Sequence, residues 1–251
     1  MFFLRRSKLA RMNSSSDARE RQIIRSWHAN AGPWTHAIES GSIASRKRVT
    51  NAAIIDVVSM LHPRSLLDVG CGEGWLTRAL SPPVPHVCGI DAVPELVAEA
   101  ARRGRGDFRV HSFADLSNGR VECGPFDAAV CNFSLLGEKS VDSLIPGLLG
   151  YLNPSGRLII QTLHPVAACG DLPYRDGWRE GSWSGFSAGF SDPAPWYFRT
   201  LQTWLGLPRR CGFELLDCLE PTAPGAPAPA SIILICKPSV TRQTPGMEAR
   251  S

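Results

Sequence analysis

No two of the eight cysteines stand in a C-x-x-C pair, although Cys71, Cys88, Cys123, Cys131, Cys169, Cys211, Cys218 and Cys236 are spread along most of the chain. That spacing argues against a zinc ribbon or a redox pair, and no metal site is expected. Several of the thiols sit in apolar runs, where a free cysteine behaves as a small hydrophobe, and a reducing cytoplasm is the simplest compartment for them. No apolar run approaches the ~20 residues of a membrane span. There is no internal repeat, and no large excess of either charge: the net value is +4 over 251 residues. Much of that excess lies in an acid-free start, Arg5, Arg6, Lys8 and Arg11, so a nucleic-acid partner is not expected. These bases follow the apolar MFFL instead of preceding it, the reverse of a secretory signal. Residues 1–18 are read as a disordered basic tail, with a targeting segment or a start at Met12 as the alternatives.

What is present is alternation. After helical periodicity over residues 19–31 and 43–61, strand-like runs at 65–69, 86–90, 108–112, 126–131 and 157–163 alternate with helical segments at 74–80, 94–103 and 139–152. Residues 115–124 read as a loop. This rhythm predicts a parallel sheet covered by helices, in one domain over residues 19–238. Residues 19–62 form a helical cap on it. An insertion at 164–198, rich in Gly, Pro, Ser and aromatic rings, is too long for a simple connection and reads as a lid. A helix over 197–210, strands at 213–219 and 232–236, and a disordered tail at 239–251 complete the chain.

The first strand breaks into Gly70, Gly72 and Gly74 before helical periodicity resumes. Such a bend brings a ligand against bare backbone. The spacing is G-x-G-x-G, not the G-x-G-x-x-G of a dinucleotide site, and Glu73 stands where a phosphate would approach. Asp91 ends the second strand, placed either to accept ribose hydroxyls or to cap the helix that begins at Pro94. Together the two features point to a nucleoside without phosphate.

The stretch Leu67-Asp68-Val69-Gly70-Cys71-Gly72-Glu73-Gly74 resembles the first motif of the class I S-adenosylmethionine-dependent methyltransferases. The resemblance extends through Gly89-Ile90-Asp91, Ala114-Asp115, Phe126-Asp127 with Asn132, and 152–158, covering about residues 65–163. It implies an α/β, three-layer, Rossmann-like fold whose seven-stranded sheet has the order 3-2-1-4-5-7-6, with an antiparallel last hairpin. It also implies S-adenosylmethionine as cofactor. Asp68 and the backbone of Gly70, Cys71, Gly72 and Gly74 would then hold the methionine part, Asp91 the ribose, Ala92 and Val93 the adenine edge, and Asp115 the adenine amino group beside Ala114. Asn132 would face the methionine moiety or the substrate. The structural alternatives are an Asx turn for Asp115 and loop satisfaction for Asn132.

Methyl transfer from a sulfonium needs alignment and exclusion of water more than it needs acid catalysis. The aromatic insertion suits a lid, with Trp196 and Tyr197 joining Trp27 and Trp34 of the cap around a small acceptor. His164, at the carboxyl end of the fifth strand, is the candidate general base for a hydroxyl, or else packs structurally before Pro165. Arg46 either clamps a carboxylate or belongs to a solvated basic face. The favoured reading is methyl transfer to a small molecule, oxygen slightly ahead of nitrogen, since Asn132-Phe133-Ser134-Leu135 departs from the N-P-P-aromatic motif of many amino-group methyltransferases. A noncatalytic binding protein and a nicotinamide oxidoreductase are the alternatives.

Overall fold

Parallel strands covered on both faces need consecutive apolar residues, not alternating ones, and SLLDV, FDAAVC and LIIQ supply them. A computed structural model of the chain describes residues 2–186 and 189–239, with side chains from Ser15 onward. Its strands are β1 (Ser65–Val69), β2 (His86–Asp91), β3 (Asp107–Val110), β4 (Phe126–Asn132), β5 (Leu152–Leu163), β6 (Gly177–Arg179), β7 (Trp196–Phe198), β8 (Phe213–Leu219) and β9 (Ser231–Pro238). The helices are α1 (Phe2–Glu39), α2 (Asn51–Leu61), α3 (Trp75–Leu80), α4 (Pro94–Arg103), α5 (Phe113–Ser117), α6 (Lys139–Gly147), α7 (Pro165–Cys169) and α8 (Leu201–Arg210). A π turn, Arg46–Thr50, leads into α2.

Seven strands form one sheet in the order β3-β2-β1-β4-β5-β9-β8. The first five run parallel, and β9 is antiparallel to both β5 and β8. Counting only the strands of this sheet, the order is the expected 3-2-1-4-5-7-6. Neighbouring residues of a strand point to opposite faces. Leu67, Ala129, Leu158 and Ile160 therefore meet Leu144 of α6 and Leu207 of α8 on one side. Leu66, Ala128, Val130 and Ile159 meet Ile54 and Val58 of α2 and Leu76 and Leu80 of α3 on the other. Helix α4 starts on Pro94 and carries Arg102 and Arg103 in its last turn, a placement that matches the helix dipole.

Three local expectations are corrected. Helix α1 begins at Phe2 and continues through Pro33 to Glu39, so residues 2–18 are helix rather than a disordered tail. Residues 2–18 contain neither Gly nor Pro, and Ser16 and Asp17 are docked: Ser16 Oγ donates to Glu138 Oε2 at 2.6 Å and Lys139 Nζ lies 2.9 Å from Asp17 Oδ1. The segment read as a loop from residue 115 begins inside the short helix α5, which Ser112 caps. Residues 196–198, expected mostly as the start of a helix, pair with β6 as a two-stranded ribbon, and α8 follows. The expected tail lies outside the described residues apart from Ser239. Among the described residues no helix is long and apolar enough to cross a membrane, and no group of three His, Cys, Asp or Glu side chains is placed to hold a metal ion.

Candidate active site

Between β1 and β4 the connections of the sheet diverge, and in open α/β sheets the crevice at such a switch point takes the ligand. A cavity of about 950 Å³ occupies this position. Gly70, Cys71, Gly72, Asp91, Ala92, Val93, Ala114 and Asn132 line it from the sheet edge, and Arg46, Trp27, Trp34, Trp196 and Tyr197 from the cap and the insertion.

The glycine bend divides its labour. Gly70 (φ 77°) must be glycine for packing, because a Cβ there would stand 2.3 Å from Cβ of Ser134. Gly72 (φ 57°) faces the cavity, where the nearest atom to an added Cβ is Nε1 of Trp34 at 3.7 Å. Only the second is an open backbone cradle of the kind a ligand uses. Gly74 is the left-handed residue that starts α3, and it lies behind the cavity wall. Asp91 braces the bend: its Oδ2 accepts from the Gly72 N–H and its Oδ1 from the Val93 N–H, both at 2.9 Å. Burial raises its carboxyl above the usual range, an effect that these backbone donors oppose.

Several polar atoms in the wall have no partner. Nε and Nη2 of Arg46, Oγ1 of Thr50 and Oδ1 of Asn132 are buried without a hydrogen bond, and all three residues line the cavity. Arg46 is 8% exposed, and its guanidinium lies over the rings of Trp75 at 4.8 Å and Trp34 at 5.4 Å. Burial pulls its pKa down to about 10, against the attraction of Glu73 and Asp68. Buried polar groups are nearly always satisfied, so this cluster asks for an oxyanion and a hydrogen-bond donor. Tyr197 is not a base: burial first and Glu138 second push its phenol up to about 12.

A family model described as a methyltransferase domain matches residues 39–217, which include the glycine bend, Asp91, Asn132 and the whole insertion. The chain belongs to the methyltransferase-domain family. Ubiquinone biosynthesis O-methyltransferase of Xylella fastidiosa (strain 9a5c) is 32% identical over 126 residues, 47% of this chain and 50% of that protein. The chain thus spans about half the length of the curated relatives it matches. Burkholderia thailandensis 1,6-didemethyltoxoflavin-N1-methyltransferase, solved with 1,6-didemethyltoxoflavin and S-adenosylhomocysteine, superposes with a TM-score of 0.57 at 17% identity, over 84% of this chain and 88% of that one. A putative S-adenosylmethionine-dependent methyltransferase from Listeria monocytogenes gives 0.55 at 18%, over 71% and 91%. Both likenesses concern the fold.

Besides Gly74, the structure turns three of the expected site residues away from the cavity. His164 caps α7, its Nδ1 accepting from the Val166 N–H at 3.3 Å, while Nε2 lies 2.7 Å from Oε1 of Glu220. It is 3% exposed and absent from the cavity wall, so both ring nitrogens are engaged away from the site. Asp115 closes a capping box as the third residue of α5, its Oδ2 accepting from Ser112 N at 3.0 Å and Ser112 Oγ at 2.7 Å. Those bonds, the hydroxyl first, hold its carboxyl below the usual range. Ser112, Phe113 and Ala114 reach the cavity in its place. Asp68 lies behind the bend and accepts from Thr77 Oγ1 at 2.9 Å, and burial raises its pKa to about 7. Glu73 is fully buried beside Arg78, at 2.9 Å, so its charge does not face the cavity as expected.

Sequence reasoning missed Thr50, Trp75 and Ser134 in the wall. Thr50 stands four residues after Arg46 and Trp75 directly follows the glycine bend, and both spacings were available signals. The wall contributed by α1, including Glu20, Ile23, Ile24 and Trp27, follows the 3.6-residue period of one helix face.

Proposed function

We propose that the protein transfers a methyl group from S-adenosylmethionine to a small, largely apolar acceptor held under the aromatic lid. The observation that carries this reading is the unpartnered guanidinium of Arg46 in the same cavity as the open backbone of Gly72 and the carboxylate of Asp91. These residues fit the cofactor's three polar ends: Arg46 its carboxylate, Asp91 the ribose hydroxyls, and Asn132 Oδ1 its ammonium. When bound there, the cofactor supplies an electrophilic methyl carbon on sulfur. The chain's own part is to align the acceptor and keep water out. Pockets of 300–1,000 Å³ are typical of small-ligand sites, and ~950 Å³ leaves room for an acceptor beside the cofactor.

Oxygen as the methylated atom is supported by the relatives' names, ubiquinone biosynthesis O-methyltransferases. It draws no support from His164. An enclosed wall of Trp, Phe, Leu and Ile side chains suits a small molecule better than a nucleic acid. All eight cysteines are free thiols, which supports a reducing, cytoplasmic setting.

Isothermal titration with S-adenosylhomocysteine tests the reading. Wild-type protein is expected to bind it, and Asp91→Ala to bind about 30- to 100-fold more weakly with its circular dichroism unchanged, the effect of losing a charged hydrogen-bond partner and the brace of the bend. Equal affinity in the variant, or preferential binding of NAD, overturns the assignment.

A further inference from the structure

The cavity has cations at two separate places, and the cofactor reading uses only one of them. Arg46 is buried beneath Trp34 and Trp75. Arg21 and Arg25 are exposed residues of α1 that also line the cavity, so they stand at its mouth. They are four residues apart, hence neighbours on one helix face. Neither makes a hydrogen bond or an ion pair among the described residues. Ile24, 41% exposed, lies between them in sequence, and Leu163, 49% exposed, joins the same wall.

The two acids of the wall, Glu20 and Asp91, spend their oxygens on other donors and pair with none of these arginines. Glu20 accepts at Oε1 from the N–H groups of Glu138 (2.8 Å) and Ser140 (3.3 Å), and at Oε2 from Ser140 Oγ (2.7 Å). Asp91 is held by the bend. The remaining cation of the wall, Arg199, is tied to Asp142 at 3.0 Å and to the carbonyls of Gly137 and Glu138. Arg46, Arg21 and Arg25 are therefore the arginines of the wall without an ion pair among the described residues, Arg46 being attracted from behind by Glu73 and Asp68. If the cofactor's carboxylate meets Arg46, Arg21 and Arg25 are left to receive an anion carried by the acceptor.

We propose that the methyl acceptor is a largely apolar molecule bearing an oxyanion remote from the methylated atom, and that Arg21 and Arg25 hold that oxyanion at the mouth while the rings of the lid enclose the apolar body. The proposal rests on the methyl-transfer reading and names the substrate class of the same site. Arginine suits this role because its planar fork pairs with carboxylate or phosphate oxygens.

Two fluorescent probes of similar ring system separate charge from apolar burial: 1-anilinonaphthalene-8-sulfonate and the uncharged N-phenyl-1-naphthylamine. Both are titrated into the whole 251-residue chain saturated with S-adenosylhomocysteine, in wild type and in the Arg21→Gln, Arg25→Gln double variant. The expected result is a fivefold or larger loss of affinity for the sulfonate with the neutral probe changed by less than twofold. A smaller loss, or one shared by both probes, overturns the proposal. Displacement of the sulfonate by 2-naphthoate or by 2-naphthyl phosphate identifies the preferred oxyanion, and displacement by neither overturns it. Affinity for S-adenosylhomocysteine, measured in the same variant, is expected to stay within twofold; failure of wild type to bind that compound defeats the methyl-transfer reading instead.

Discussion

Asp68 is a carboxyl group buried at 1% exposure, with one hydroxyl donor and with Asp91 and Glu73 as repelling neighbours. Its pKa rises from 3.8 to about 7 in the folded chain. The native state therefore binds the proton more tightly than the unfolded state, so stability falls as pH rises between these values and the full cost is present above pH 7. By linkage a rise of this size corresponds to roughly 4 kcal/mol. Asparagine can still accept from Thr77 and carries no charge. Asp68→Asn is thus expected to raise Tm by at least about 4 °C at pH 8 and by little at pH 4, as followed by circular dichroism. An equal shift at both pH values means that the group stays ionised throughout. The same scale explains why His164 and Asp115 lie off the cavity wall, each in a structural role of the kind the sequence also allowed. Ser112-x-x-Asp115 is the spelling of a capping box, and His164 before Pro165 is a helix start. Cap chemistry and ligand chemistry use the same oxygens and nitrogens, and the sequence alone does not say which partner they find. The positions of Asp91 and Gly72 in the cavity wall were legible because a strand end and a left-handed bend fix their direction.

Helix α1 is attached by its apolar face, where Ala31 packs with Val93 and Leu96, and by polar clasps to elements distant in sequence. Glu20 gathers the start of α6, His28 Nδ1 lies 3.0 Å from Glu95 of α4, and Glu39 pairs with Arg103. Asn30 binds the insertion twice, its Nδ2 donating to the Ser191 carbonyl at 2.7 Å and its Oδ1 accepting from the Ser191 N–H at 2.8 Å, while Ser26 Oγ donates to the Asp192 carbonyl. Trp183 of the insertion lies edge-on to Trp27 of α1, 6.0 Å away. Asn30→Ala leaves the Ser191 groups unpaired at a cost of about 2 kcal/mol. The expected outcome is a Tm lower by about 4–8 °C and faster tryptic cleavage at Arg175 or Arg179, read by mass spectrometry; cleavage at the wild-type rate means that α1 does not secure the insertion. At this scale β1 and α4 were legible to the residue, because an apolar run bounded by turn residues and a Pro-to-Arg helix declare their own ends. The β6–β7 ribbon was not, since WYF reads equally as helix or strand until Gly177-Trp178-Arg179 lies beside it. The length of α1 was hidden for a related reason: its docking partners, such as Glu138, lie more than a hundred residues away.

The molecule as a whole places its cavity where the sheet, α1 and the insertion meet, so no single element contains it. Gly72 belongs to the bend after β1, Asp91 to β2, Asn132 to β4, Arg46 to the π turn, and Trp27 and Trp196 to the two covers. A ligand bridging these parts is bound by the folded chain and not by the unfolded one, because the unfolded chain has no such constellation. Binding then adds its free energy to global stability: a ligand at a hundred times its Kd contributes about 2.7 kcal/mol. For a chain of this size that corresponds to roughly 5–11 °C. S-adenosylhomocysteine at that concentration is therefore expected to raise Tm by this amount, whereas NAD at the same concentration is expected to leave it unchanged, since Arg21 and Arg25 stand at the mouth and not at the bend, and the six-residue helix α3, which starts on Gly74 behind the cavity wall, offers no phosphate cradle. Differential scanning calorimetry reads both. Stabilisation by NAD to the same extent would mean that the bend accepts a pyrophosphate, and would return the protein to the dinucleotide-binding class that its G-x-G-x-G spacing argues against.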